Sequence, residues 1–112
     1  MEISKVTLNP ERVSRAWTIA HAITHPLRLR IMDYIHSQGV TNVNNIYHAL
    51  KIEQSITSQH LRILREADVV NSERDGKFVH YKLNYELVEK ASSAVMKFSH
   101  ADEIYRISGT TI

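Results

Sequence analysis

The chain has no cysteine, which excludes disulfides, thiolate metal ligation, a cysteine nucleophile and thiol redox switching together. It also has no run of about 18 apolar residues, the length a membrane-spanning helix needs. The opening Met1-Glu2-Ile3-Ser4-Lys5-Val6-Thr7-Leu8 lacks the basic region and continuous apolar run of a secretory signal, so the expected compartment is the cytoplasm, with no membrane partner. Excess charge is scarce: 14 basic side chains face 12 acidic ones, for a formal net charge of +2. That balance permits nucleic-acid binding without requiring it. There is no Gly-rich phosphate loop and no HExxH pair, and Ser, His and Asp recur without a spacing that assigns them roles. The expectation is a non-enzyme without a cofactor.

What is present fits one domain spanning residues 1–112, with an apolar fraction of 43% supplying its core. No repeat, low-complexity tract or linker interrupts it. Asn9 as N-cap, Pro10 at the first helical position and Glu11 in the first turn announce a first helix. It carries Val13, Ala16, Trp17, Ala20 and Ile23 at helical spacing. A second helix starts at Pro26, sets Leu27, Ile31, Tyr34 and Ile35 on one face, and ends before Gly39, a left-handed terminator. A third, over about Val43 to Leu50, buries Val43, Ile46, Tyr47 and Leu50.

After Lys51-Ile52-Glu53 comes the most informative segment, Gln54 to Ala67. Thr57, Leu61 and Leu64 stand at i, i+4 and i+7 and form one packing stripe. Ser55, Ile56, Ser58, Gln59 and Arg62 lie on or beside the opposite face, where hydroxyls, an amide, an apolar contact and a guanidinium suit base edges and phosphates. A helix, a short turn and a helix let the first brace the backbone while the second enters a major groove about 12 Å wide.

The pattern then alternates through Val69-Val70-Asn71-Ser72-Glu73-Arg74 and Lys77-Phe78-Val79-His80-Tyr81-Lys82-Leu83. Asp75-Gly76 between the two runs predicts a hairpin, since a tight two-residue turn needs positive φ. Phe78 or Val79, with Tyr81 and Leu83, would anchor this ribbon, leaving Arg74 and Lys77 at an exposed tip, a wing. A last helix after the N-cap Asn84 carries Leu87, Val88, Ala91, Ala94, Val95, Phe98 and Ala101. It is too apolar to face water. Val13, Trp17 and Ala20 with Leu87, Ala91, Ala94, Val95 and Phe98 form the expected two-fold dimer seam. The fold expected is mainly α with a small β-hairpin wing: a winged helix-turn-helix of about five helices, dimerising through the first and last. The tail from Ile107 to Ile112 should be loose.

From about Ala20 to Val88 the chain resembles the ArsR family of bacterial winged-helix repressors. His25-Pro26-Leu27-Arg28-Leu29-Arg30-Ile31 resembles that family's Pro-x-Arg-Leu opening of its second helix. Ser55 to Ala67 is similar to its recognition helix, with the Ser-x-His-Leu core and the Leu-Arg-Glu-Ala ending. Val69-Val70, Arg74-Asp75-Gly76-Lys77 and Tyr81-Lys82-Leu83 resemble its wing. The resemblance implies a homodimer on double-stranded DNA that binds an imperfect inverted repeat and represses an adjacent operon until an effector lowers its affinity. It places base reading on Ser55, Ser58 and Gln59, flanked by Gln54, Ile56, His60 and Arg62. Gln59 suits adenine through both atoms of its amide, and Ile56 suits a thymine methyl.

Two departures concern the switch. Metal sensors of this family often carry Leu-Cys-Val-Cys-Asp-Leu before the turn, where this chain has Thr41-Asn42-Val43-Asn44-Asn45-Ile46. Asn42 and Asn44 are poor ligands for thiophilic ions. A second family site, across the paired terminal helices, aligns with Tyr85, Leu87, Phe98 and Ala101, none a useful ligand, and His100 with Glu103 is out of register. Of seven histidines, His21 and His25 have the i, i+4 spacing of a zinc pair, yet His25 precedes Pro26 and suits a cap. His36, His48, His60 and His80 are scattered, and together they leave pH dependence open. Trp17, Phe98 and Tyr105 suit either core packing or a pocket for an unknown small-molecule effector. A winged-helix interaction module without DNA binding and a histidine-dependent metal-sensing repressor remain the alternatives.

Overall fold

In the computed structural model, residues 9–92 are described. The elements in chain order are α1 (Pro10–Ile23), α2 (Pro26–Gln38), β1 (Thr41–Asn42), α3 (Val43–Leu50), α4 (Gln54–Glu66), β2 (Val70–Asp75) and β3 (Phe78–Leu83). A fifth helix, α5, is described over residues 85–92. The architecture is a winged helix-turn-helix, mainly α with a small antiparallel sheet.

The helix ends form for the reasons legible in the sequence. Asn9 accepts from the Glu11 and Arg12 amides, and Pro10 occupies the first turn, where its missing N–H costs nothing. His25 caps α2 through its ring, Nδ1 accepting from the Leu27 amide at 3.1 Å. Gly39 ends α2 at φ +78, a region open to glycine without Cβ conflict. Asn84 accepts from the Leu87 amide at the head of α5, while its Nδ2 donates to the Asp68 carbonyl.

The core takes Ile31, Met32 and Ile35 from α2, Ile46 from α3, Leu61 and Leu64 from α4, and Val69, Val70 and Leu83 from the segments that follow. From α1 only Ala22 is fully buried, with Ile19 and Ile23 packed against the cluster. Val13, Ala16, Trp17 and Ala20 lie on another face of that helix and are exposed, Trp17 at 66%.

The sheet has one strand more than the hairpin expected. Its order is β1-β3-β2, all antiparallel, with Thr41 opposite Tyr81 and Asn42 opposite His80. Two residues with no alternating pattern gave no strand signal; the pairing comes from the unsatisfied edge of β3. The turn also differs by one residue. Asp75 pairs with Phe78, so the connecting pair is Gly76-Lys77 rather than Asp75-Gly76. Gly76 alone has positive φ there, +62, the pattern of a hairpin turn with glycine at its first central position. Lys77 thus sits in the turn itself, and Phe78 is 55% exposed rather than anchoring the ribbon. Val79 and Tyr81 are half-buried and Leu83 is buried, so they hold the wing to the core.

Candidate DNA-reading surface

The seat of α4 is fixed by Thr57, Leu61 and Leu64, each at most 1% exposed. Thr57 donates its hydroxyl to the Glu53 carbonyl at 2.9 Å, so burying it leaves no unmet donor. Gln54, Ser55, Ile56, Ser58, Gln59 and Arg62 are all exposed. This is the division of faces expected from the spacing. Ile56 presents an isolated apolar side chain at 37% exposure. Arg62 is held by Glu66 at 3.3 Å, a surface i, i+4 pair worth a few tenths of a kcal/mol, about 0.3–0.5. No side chain caps the N-terminus of α4: the N-cap residue is Glu53, whose carboxylate makes no capping bond. The first amides of the helix therefore face outward unpaired by a side chain.

His60 is different from its neighbours. It is half-buried, its Nδ1 accepts from Arg28 Nε at 3.1 Å, and its ring centroid lies 4.8 Å from that of His25. Burial first, then His25, then Arg28 hold its pKa below 6.5. The structure places it beneath the reading face rather than on it.

α3 braces α4 from behind. Asn42 is the N-cap of α3, its Oδ1 accepting from the Asn45 amide at 2.9 Å, which gives this side chain a structural role at the head of the helix. Lys51 closes α3 with φ +55, and the Ile52 amide returns to the Tyr47 carbonyl at 3.1 Å. Arg30 reaches from α2 to the Leu50 carbonyl at 3.4 Å. On the wing, strand alternation puts Arg74 on the face of Val79 and Tyr81, while Glu73 and Asp75 share the other face with His80 and Phe78. Arg74 and Lys77 have no ion-pair partner among the described residues. The wing therefore carries two cations without an ion-pair partner among the described residues, with Arg74 on the opposite strand face from Glu73 and Asp75.

Only His25 and His60 come together among the described histidines, and they do so without a third ligating side chain. His21 stacks on Trp17 at 5.0 Å, His25 caps α2, and His36 meets the Tyr85 hydroxyl at 2.8 Å. Among the described residues no three His, Cys, Asp or Glu side chains are placed to hold a metal ion. Of the expected dimer residues, Val13, Trp17 and Ala20 are exposed on α1, while Leu87 and Ala91 are half-buried on α5. Ala94, Val95 and Phe98, like His100, Glu103 and Tyr105, lie outside the described residues. Sequence reasoning passed over Arg28, which is only 5% exposed. The signal was its position three residues before Ile31, on the buried stripe of α2.

A helix-turn-helix with an exposed polar face on its second helix and a basic-tipped wing beside it defines a winged helix-turn-helix DNA-binding protein. Residues 25–72 match the model of the arsR family of bacterial regulatory proteins. The chain is 30% identical over 77 residues to the transcriptional repressor SdpR of Bacillus subtilis, covering 69% of this chain and 84% of that protein. It is 36% identical over 67 residues to the transcriptional repressor PagR of Bacillus anthracis, covering 60% and 67%. The PagR crystal structure superposes with a TM-score of 0.61 at 29% identity, over 68% of this chain and 86% of that one. NolR from Sinorhizobium fredii superposes with a TM-score of 0.65 at 27% identity, over 83% and 95%. The chain belongs to the arsR family, a family of DNA-binding transcriptional repressors rather than enzymes. No helix among the described residues is long and apolar enough to cross a membrane.

Proposed function

We propose that this chain represses transcription in the cytoplasm as a two-fold homodimer seated on an inverted-repeat operator. Two α4 helices would enter successive major grooves about 34–36 Å apart. The observation that carries this reading is the seating of α4. Its apolar stripe is locked into the core, which leaves Gln54, Ser55, Ile56, Ser58, Gln59 and Arg62 exposed together. Ser55, Ser58 and Gln59 read base edges, Ile56 meets a thymine methyl, and Gln54 and Arg62 flank them at the backbone. His60 contributes from beneath by holding the helix in place. Arg74 and Lys77 neutralise phosphates from the wing. Val13, Trp17 and Ala20 form one half of the seam and the apolar side of the C-terminal helix the other, since an exposed tryptophan beside Val13 and two alanines is a costly surface for a lone protomer.

Selection of bound duplexes from a random pool, followed by titration at several salt concentrations, tests the reading. The selected site should be a near-palindrome, and log K should fall with log salt by about 0.9 per neutralised phosphate. Salt-insensitive binding without sequence preference would instead support an interaction module.

A further inference from the structure

Arg28 is the only charged side chain buried among the described residues, and no carboxylate meets it. Its Nη1 donates to the His21 carbonyl at 2.9 Å and the Ala22 carbonyl at 3.3 Å, and its Nε donates to His60 Nδ1 at 3.1 Å. A guanidinium keeps its proton, so this buried charge is permanent and rests on neutral lone pairs alone. Two of these come from the last turn of α1, the negative end of its dipole. The third comes from the reading helix. One side chain therefore ties the end of α1 to the seat of α4.

The third acceptor is conditional. Arg28 Nε–H requires a bare Nδ1 on His60, so the neutral ring carries its proton on Nε2. A proton taken up at Nδ1 would turn the acceptor into a donor facing a donor, with a second positive charge against the buried guanidinium. The titratable and charged groups that bear on His60 are Arg28 of α2 and His25 at the α2 N-cap. The His25 Nδ1 is itself engaged by the Leu27 amide. From α1 come only the carbonyls that share Arg28.

The geometry points to a proton-operated latch: neutral His60 accepts from Arg28 and seats α4 for DNA reading, and protonated His60 releases it. The latch rests on the DNA-reading role of α4. His60 has its pKa lowered in the seated state, so the latch is intact above about pH 6.5, and as pH falls below that value the unseated state takes up the proton first. Acid should therefore weaken DNA binding. A histidine that met a phosphate would do the reverse, because the anion favours the charged ring and acid would tighten the complex.

The test uses the full chain and a duplex selected by it from a random pool, with affinity read at constant ionic strength between about pH 7.5 and 5.5. The affinity should fall by up to about tenfold per reading helix across that range. His60→Gln retains an acceptor that does not titrate, so its ratio of affinities between the two pH values should flatten, whatever its absolute affinity. In the free protein, NMR titration of the His60 ring should give a pKa below 6.5 that moves back toward it in Arg28→Met. Affinity that is flat or rises with acid, an equal fall in His60→Gln, or a ring titrating at or above 6.5 would overturn the latch. If no duplex is selected at all, the DNA reading fails, and the ring titration still decides the Arg28–His60 contact.

Discussion

Lys51 offers a substitution that should raise stability and lower function together. It stands at φ 55, ψ 49 between the two helices of the reading unit. The left-handed region costs an L-residue with a Cβ about 1–2 kcal/mol. Glycine removes that cost but widens the unfolded ensemble, returning about 0.4–1 kcal/mol. Lys51→Gly should therefore stabilise the fold by about 0.5–1 kcal/mol, because the Ile52 to Tyr47 backbone bond that closes α3 needs no side chain. For a domain of this size that is a rise in Tm of a few degrees, at about 4–8 °C per kcal/mol. Lys51 is also exposed and makes no hydrogen bond or ion pair through its ammonium among the described residues, three positions before Gln54. If that ammonium neutralises one phosphate, Lys51→Gly weakens binding at every sequence alike and lowers the salt slope by about 0.9. Urea melts and a salt series on the same preparation give both readouts. Asp68 supplies the internal comparison, since it also sits at positive φ, 61, at the end of α4, but pairs with Arg15 at 2.8 Å. Asp68→Gly trades relief of strain against a half-exposed ion pair worth about 0–1 kcal/mol, and should be closer to neutral. A Lys51→Gly variant less stable than wild type would refute the strain argument, and an unchanged salt slope would refute the phosphate contact.

Gln59→Ala should relax preference at one base step, at a cost of about 1–3 kcal/mol for the preferred base; an unchanged selection profile would remove Gln59 from the readers. Arg74→Ala with Lys77→Ala should weaken binding uniformly across sequences and reduce the salt slope by about 1.8, since two phosphate contacts are lost. Trp17→Glu should shift the proposed dimer to monomer in light scattering without unfolding the chain, because Trp17 is 66% exposed in the protomer; a dimer of undiminished strength would place the seam elsewhere. Glu53→Ser should tighten DNA binding severalfold and raise Tm slightly, since it adds a cap worth about 1 kcal/mol at an N-terminus that has none and removes an anion from the reading end of α4.

What could be read from the sequence was what repeats along one element. The stripe of Thr57, Leu61 and Leu64, the caps at Asn9, His25 and Asn84, and the stop at Gly39 each follow from spacing or local backbone chemistry, and each stands where expected. Pairing across the chain was less legible. The strand at Thr41–Asn42 exists because β3 has an edge to fill, a fact about distant residues that a two-residue window cannot carry. The hairpin turn moved by one residue for a related reason: Asp75-Gly76 and Gly76-Lys77 both supply the glycine, and register with Val70 and Leu83 decides between them.

Arg28 shows where a pattern rule gives the wrong weight to a residue. Counted as a charge, it belongs on a solvated face; counted by position, it belongs on the buried stripe with Ile31, Met32 and Ile35. Position prevails because the end of α1 presents carbonyls with no helical donors, and His60 presents a bare nitrogen, so a five-donor fork at that point satisfies more acceptors than any apolar side chain could. An apolar replacement of similar volume would spare the cost of desolvating a cation. Here it would strand the buried Ala22 carbonyl and leave His60 Nδ1 without its donor, while the His21 carbonyl would keep only the Thr24 hydroxyl at 3.4 Å. Arg28→Met should therefore destabilise the fold, by about 1–3 kcal/mol for the acceptors left unmet. It should do so less at low pH, where protonated His60 has already lost the contact, so that the difference in stability from wild type shrinks as pH falls below about 6.5.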